Sequence, residues 1–122
     1  MAKILLVDDS AMSRRILRRI LEPAGHLICE ADDGLVALER YIIEQPDLVL
    51  LDMTMRGMHG LEVLGQLRTL DPSARVVVAT ADIQQSTRTL AEAAGSSGFI
   101  SKPFTREPVC SAVDLALTGA AQ

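Results

Sequence analysis

The chain has 122 residues, enough for one domain with a real hydrophobic core, and 48% apolar against 23% charged residues excludes a disordered chain. Two Phe, one Tyr, no Trp and a net charge of −4 argue against a nucleic-acid surface, so direct nucleic-acid binding is not expected. No apolar run approaches the roughly 20 residues that span a bilayer, and Asp8 and Asp9 interrupt the apolar start too early for a secretion signal. A cytoplasmic domain without membrane contact is expected.

Strand and helix patterns alternate along the chain. The apolar run 4–7 predicts a first strand over 3–7, closed by Asp8 and Asp9. A helix over 10–22 follows, with Ser10 as N-cap, Met12, Ile16, Leu17, Ile20 and Leu21 as its apolar face, and Pro23 and Gly25 as its stop. The second strand is expected at 27–30 and the second helix at 33–44, before Gln45-Pro46 breaks the chain. The third strand, 48–51, is apolar throughout, as a strand buried on both faces should be, and ends at Asp52. A helix over 59–69, a strand over 75–79 ending at Thr80, and a helix over 83–94 capped by Gly95 come next. A short strand at 98–100 leads to Lys102-Pro103, and a last helix covers 106–118 from a Thr105 cap. Five such units imply one α/β domain with a parallel sheet and right-handed crossovers. Cys29, Cys110, His26 and His59 show no ligand or catalytic spacing and are expected to be bystanders, the cysteines as buried free thiols. Met53, Met55 and Met58 suit flexible packing better than a sulphur site.

In an open parallel sheet the carboxyl ends of the strands line one crevice. Asp8, Asp9, Asp52, Thr80 and Lys102 each follow a predicted strand, so three carboxylates, a hydroxyl and an ammonium should converge there. Such a cluster is costly unless a cation and a transferable anion use it. Taken singly, each residue has a plainer reading. Asp8, Asp9 and Ser10 suit a helix cap, and Asp52, Thr80 and Lys102 suit exposed loops. Their joint occurrence at strand ends favours function.

The segments Val7-Asp8-Asp9-Ser10, Asp52 followed by Met55, Met58 and Gly60, Thr80-Ala81, and Lys102-Pro103-Phe104 occur in that order from end to end. Together they resemble the receiver domain of two-component response regulators, of the single-domain chemotaxis type. The resemblance implies a flavodoxin-like, doubly wound five-stranded parallel sheet in the order 2-1-3-4-5, over 1–118, with a short tail at 119–122. It implies that Asp52 is the phosphoacceptor, and that Asp8, Asp9, Asp52 and the main-chain carbonyl of Thr54 form the Mg²⁺ site, Asp8 acting through a metal-bound water. Thr80 would be the switch hydroxyl, Phe99 the switch aromatic and Lys102 the phosphate-neutralising lysine, followed by a cis peptide. The residue types suit that chemistry. A carboxylate attacks phosphorus to form an acyl phosphate, Mg²⁺ takes oxygen ligands, and lysine supplies a compact point charge. The implied donor is a phosphohistidine on a histidine kinase or phosphotransfer protein. The chain would then be a signalling phosphoacceptor rather than a turnover enzyme. Its output is expected from a partner or from sequence beyond this segment.

Three features depart from or add to that pattern. Arg56 stands where the family commonly has proline, and His59 where an acidic or amide residue often precedes Gly60, which leaves the loop after Asp52 less restricted. Phe99 has no hydroxyl, so its rotamer is expected to be set by apolar packing alone. Arg14, Arg15, Arg18 and Arg19 form two like-charge pairs at four-residue spacing, each costing a few tenths of a kcal/mol in an isolated helix. They are either a solvated face or a docking face, in which Arg14, Arg15 and Arg18 steer an acidic kinase or phosphotransfer partner. The competing class is a phosphatase of the haloacid dehalogenase type. Its nucleophile follows the first strand in an Asp-x-Asp pattern, whereas here that strand ends Asp8-Asp9-Ser10. A flavodoxin-like cofactor binder would need a hydroxyl-rich phosphate loop after the first strand. The complete acidic, hydroxyl and lysine set argues against an inactive pseudo-receiver.

Overall fold

The computed structural model describes residues 1–82 and 84–119. The elements are β1 (Lys3–Val7), α1 (Ala11–Leu21), β2 (Leu27–Ala31), α2 (Gly34–Glu44), β3 (Leu48–Leu51), α3 (Gly60–Leu70), β4 (Val76–Thr80), α4 (Gln85–Ala93), β5 (Gly98–Ser101) and α5 (Arg106–Thr118). All strand pairs are parallel and the order is β2-β1-β3-β4-β5, the flavodoxin-like order expected. No helix among the described residues is long and apolar enough to cross a membrane.

The uninterrupted apolar runs are explained by two cores, one on each face of the sheet. Side chains alternate between faces along a strand. Ile4 and Leu6, Leu48 and Leu50, and Val77 and Ala79 meet Leu17 and Leu21 of α1 and Val109 and Val113 of α5. Leu5 and Val7, Val49 and Leu51, and Val76 and Val78 meet Ala37 of α2, Val63, Leu64 and Leu67 of α3, and Ala91 of α4. Burying one such Leu or Ile fully is worth about 1.5–3 kcal/mol, so the sheet interior carries most of the stabilisation. At the end of the sheet where α2 and α3 finish, the Tyr41 hydroxyl donates to Asp71 Oδ2 at 2.7 Å and ties the two helices together.

Caps set the helix starts. Ser10 Oγ accepts from the Ser13 N–H at 3.1 Å, as expected, and Asp33 Oδ1 accepts from the Val36 N–H at 2.8 Å. His59 proves to be the N-cap of α3, its Nδ1 accepting from the Leu61 N–H at 3.1 Å. Thr105 occupies the α5 cap position without a side-chain hydrogen bond. The expected start of α4 at Ile83 lies outside the described residues, and the helix begins at Gln85. Residues 120–122 of the expected tail also lie outside them, while Gly119 closes α5 with φ +71°.

The apolar face predicted for α1 needs correction. Leu17 and Leu21 are buried, but Met12 is 68% exposed and Ile16 37%. One residue turns the helix by about 100°, so Ile16 and Met12 fall outside the stripe centred on Leu17 and Leu21. They join Arg15 and Arg19, also exposed, on the outer side of the helix.

Register brings the strand ends level. Val7 aligns with Ala31 and Leu51, Leu51 with Val78, and Thr80 with Ser101. The Asp52 N–H therefore donates to the Val7 carbonyl at 2.9 Å, and the Lys102 N–H to the Thr80 carbonyl at 2.9 Å. Gly60 fits beneath this row because it has no side chain. A Cβ there would lie 2.5 Å from the Asp52 carbonyl oxygen and 2.5 Å from Met53 Cα. Gly60→Ala should thus cost about 1–3 kcal/mol in urea denaturation, through forced displacement of the backbone at Asp52. Gly65→Ala, in the same helix with nothing within 4 Å of the new methyl, should instead gain about 0.5–1 kcal/mol.

Candidate functional site

The β1–α1 turn supplies two carboxylates with different surroundings. Asp8 is 2% exposed. Its N–H donates to the Ala31 carbonyl, and its Oδ1 accepts from the Ser10 N–H at 2.9 Å. Its Oδ2 is shielded from solvent and lies 3.0 Å from Lys102 Nζ, yet accepts no well-directed hydrogen bond among the described residues. Asp9 is exposed, and its Oδ2 accepts from the Arg56 N–H at 3.3 Å. The residue standing in place of the loop proline thus contributes an N–H that a proline lacks.

Asp52, at the end of β3, is also 2% exposed. Its Oδ1 accepts from both the N–H and the hydroxyl of Thr54 at 3.3 Å, and its Oδ2 lies 3.5 Å from Lys102 Nζ. The carboxylates of Asp8, Asp9 and Asp52 each offer an oxygen within 4.8 Å of the others. Lys102 reaches between Asp8 and Asp52 from a cis Lys102-Pro103 peptide, the isomer expected, with its Nζ 5.8 Å from the Phe104 ring centre. Thr80 is fully buried and its Oγ1 accepts from the Asp82 N–H at 3.2 Å. Asp82, two residues beyond Thr80, is held by its own loop. Its Oδ1 accepts from the Gln84 N–H at 3.1 Å and its Oδ2 from the Thr87 hydroxyl at 2.8 Å.

Burial pushes the Asp8 carboxyl above its ordinary range and the charge of Asp52 adds to this, against the Ser10 hydrogen bond and Lys102. Burial also works against the Lys102 ammonium. The close contact with the Asp8 carboxylate and the charges of Asp52 and Asp8 outweigh it, so the lysine stays charged to higher pH than usual. A carboxyl that resists ionisation beside a lysine that holds its proton marks a pocket short of positive charge. Three hard oxygen donors, one of them an unsatisfied buried Asp8 oxygen, fit a small divalent cation.

The sequence reading missed the partners of the α1 arginines. Arg14 Nε donates to Glu30 Oε1 at 2.7 Å, and Arg18 Nε to Glu30 Oε2 at 2.9 Å. Arg14 also donates to the Asp8 carbonyl, and Arg18 pairs with Glu22. Burial alone would raise the Glu30 carboxyl, but the two arginines outweigh it and hold it below its ordinary value. Glu30, a lone acid inside the second strand pattern, was the available signal. Of the basic residues proposed as a docking face, Arg14 and Arg18 are occupied by Glu30. Arg15 has no acidic partner among the described residues, and Arg19 stands beside it on the outer side. The expectation for Phe99 also needs correction. The half-buried ring carries the Arg88 guanidinium 5.3 Å above its centre, so a cation–π contact acts on it in addition to apolar packing. Met53 is fully buried, as packing demands, while Cys29 and Cys110 are free and only half-buried.

A family model of the response regulator receiver domain matches residues 4–114. The chain belongs to that family. As a receiver it is 38% identical over 117 residues to the chemotaxis protein CheY of Listeria monocytogenes, covering 95% of this chain and 98% of that one. It is 36% identical over 115 residues to sporulation initiation phosphotransferase F of Bacillus subtilis, covering 91% and 90%. The crystal structure of Vibrio cholerae chemotaxis protein CheY4 superposes with a TM-score of 0.91 at 28% identity, covering 96% of this receiver and 99% of that chain. The chain is thus a two-component signalling domain of the CheY-like fold, not a dehalogenase-type phosphatase.

The raised Asp8 pKa has a signed consequence. Between its unfolded value and its higher folded value the native state binds more protons than the unfolded one, so this group's contribution to stability falls as pH rises through that window. Asp8→Asn removes the effect. In a chelator, the stability difference between the Asn variant and wild type should grow in favour of the variant from about pH 4 upward. A difference flat with pH in denaturation series would show that Asp8 ionises freely.

Proposed function

We propose that this receiver accepts a phosphoryl group from a phosphohistidine onto Asp52, and that the acyl phosphate so formed switches the surface of α4, β5 and α5 to control a partner. The observation that carries the reading is the placement of Lys102 Nζ 3.0 Å from Asp8 and 3.5 Å from Asp52, the two buried members of the carboxylate triad. Asp52 is the nucleophile. Held by Thr54 through Oδ1, it has Oδ2 turned toward Lys102. Lys102 neutralises charge on the incoming group, and burial makes that charge count for more than it would in water. Asp9 and Asp52, with the main-chain carbonyl of Thr54, would hold Mg²⁺, and Asp8 would act through a metal-bound water. The chemistry Mg²⁺ would supply there is neutralisation of the crowded acids and of the anionic group being transferred. Positioning and charge stabilisation are the whole of the protein's contribution, so the chain acts as a phosphoacceptor rather than as a turnover enzyme.

The switch follows from Thr80. Its hydroxyl is buried and engaged with the Asp82 N–H. New phosphoryl oxygens on Asp52 offer that hydroxyl a stronger acceptor. Moving it leaves the β4–α4 loop to rearrange, and Phe99 then gains space but must leave or carry the Arg88 guanidinium above it. Coupling of this kind is typically about 1–3 kcal/mol. For docking of the donor, the exposed side of α1 offers Met12, Arg15, Ile16 and Arg19, an apolar pair flanked by two arginines. This suits an acidic, helix-bearing kinase or phosphotransfer protein.

Two experiments test the proposal. With Mg²⁺ and either acetyl phosphate or a phosphohistidine donor, wild type should gain one hydroxylamine-sensitive phosphoryl group by mass spectrometry, and Asp52→Asn none from either. Arg15→Glu should slow only the phosphohistidine reaction. An adduct on the Asn variant removes Asp52 as nucleophile, and equal slowing from both donors removes the docking face. For the switch, beryllofluoride with Mg²⁺, standing in for the phosphoryl group, should shift amide signals through α4 and β5 in wild type. In Thr80→Ala the shifts should stay near Asp52. Wild-type shifts confined to the pocket would sink the switch.

A further inference from the structure

The cation site has a support on its far side that neither the family match nor the proposed mechanism uses. Asp8 ends β1, and beyond it the chain turns into α1. The Asp8 N–H donates to the Ala31 carbonyl, its Oδ1 accepts from the Ser10 N–H, and its Oδ2 lies in an ion pair with Lys102. Its carbonyl accepts from Arg14 Nη1. The arginine is itself anchored, since its Nε donates to Glu30 Oε1 at 2.7 Å and its side chain is only 16% exposed. Glu30 stands on β2, one residue before the Ala31 whose carbonyl takes the Asp8 N–H. A planar guanidinium with a fixed fork therefore clamps the strand-end carbonyl against the edge of the sheet. Arg18 shares Glu30 but turns its other contact to Glu22 rather than to Asp8.

We propose that Arg14, oriented by Glu30, is a positioning residue for the cation site: it fixes the peptide between Asp8 and Asp9 and so sets where both carboxylates point. The proposal rests on reading Asp8, Asp9 and Asp52 as that site. It makes a prediction opposite in sign to simple electrostatics. Arg14 is a cation close to a site for a cation, so by charge alone its removal should tighten Mg²⁺ binding. As a positioning residue, its removal should weaken binding. Groups that hold metal ligands in place commonly matter by an order of magnitude or more.

The test is Mg²⁺ titration by calorimetry, with the Ser10 amide followed by NMR and stability measured in chelator. Arg14→Ala should bind Mg²⁺ roughly tenfold more weakly and shift the Ser10 amide even without metal. Arg18→Ala, which removes the same charge from the same Glu30, should bind as tightly as wild type or more tightly, whatever stability both variants lose. Arg14→Lys, able to donate one N–H to the Asp8 carbonyl, should recover part of the affinity. Arg14→Gln keeps the stem without the guanidinium and serves if the alanine chain does not fold. Equal or tighter binding in Arg14→Ala or Arg14→Gln, or equal weakening in Arg18→Ala, overturns the proposal. Wild type taking up no Mg²⁺ overturns the cation-site reading itself, and this inference with it.

Discussion

Two carboxylates buried side by side are the constraint to which the rest of this molecule answers. Parallel pairing of β1 with β3 puts Val7 level with Leu51, so the residues that follow, Asp8 and Asp52, must be neighbours. Their oxygens approach within 4.8 Å while each residue is only 2% exposed. At that separation two full charges repel by roughly 3–4 kcal/mol for an effective dielectric near 20. A domain of this kind is stable by only about 5–15 kcal/mol, so the repulsion is a large fraction of the total. Lys102 offsets part of it, and burial beside Asp52 raises the Asp8 carboxyl above its ordinary range. What remains is a standing demand for positive charge, which the proposed divalent ion would answer.

The walls of the site are closely packed. Gly60 allows α3 to approach the Asp52 carbonyl, the two cores clamp β1, β3 and β4 from both sides, and Arg14 closes the turn after β1. Strain of this electrostatic kind is held only if the surrounding backbone cannot relax to relieve it. The parts that would move in the proposed switch are placed elsewhere. Thr80 and Asp82 share a hydrogen bond at the β4–α4 loop, and Arg88 of α4 rests on Phe99 of β5. In the proposed switch, the packed surroundings of Asp52 would hold charge and the contacts of Thr80 and Phe99 would report it.

Much of this was legible in the chain because it depends on strand ends. An apolar run buried on both faces needs no rotation angle to be recognised, and the residue after it falls in the crevice whichever way the helices turn. Asp8, Asp9, Asp52, Thr80 and Lys102 were found in that way. Most of the misses concern helix rotation or contacts between elements. Met12 and Ile16 share a four-residue spacing with Ile20, yet the face that meets the sheet is centred on Leu17 and Leu21. Arg14 and Arg18 read as surface charge until β2 brings Glu30 beneath them. Arg88 reaches Phe99 only once α4 is seated over β5. Periodicity gives which residues share a side of a helix, and packing alone decides which side is covered.

The lone tyrosine carries a practical consequence. Tyr41 sits at the C-terminal end of α2, hydrogen-bonded to Asp71 just past α3, at the opposite end of the sheet from Asp52. With no tryptophan in the chain, it dominates the intrinsic fluorescence. That emission watches the two helix ends come apart when the domain melts. It is too far from the crevice to see what binds there, so this protein carries an optical reporter of folding that is blind to its own chemistry.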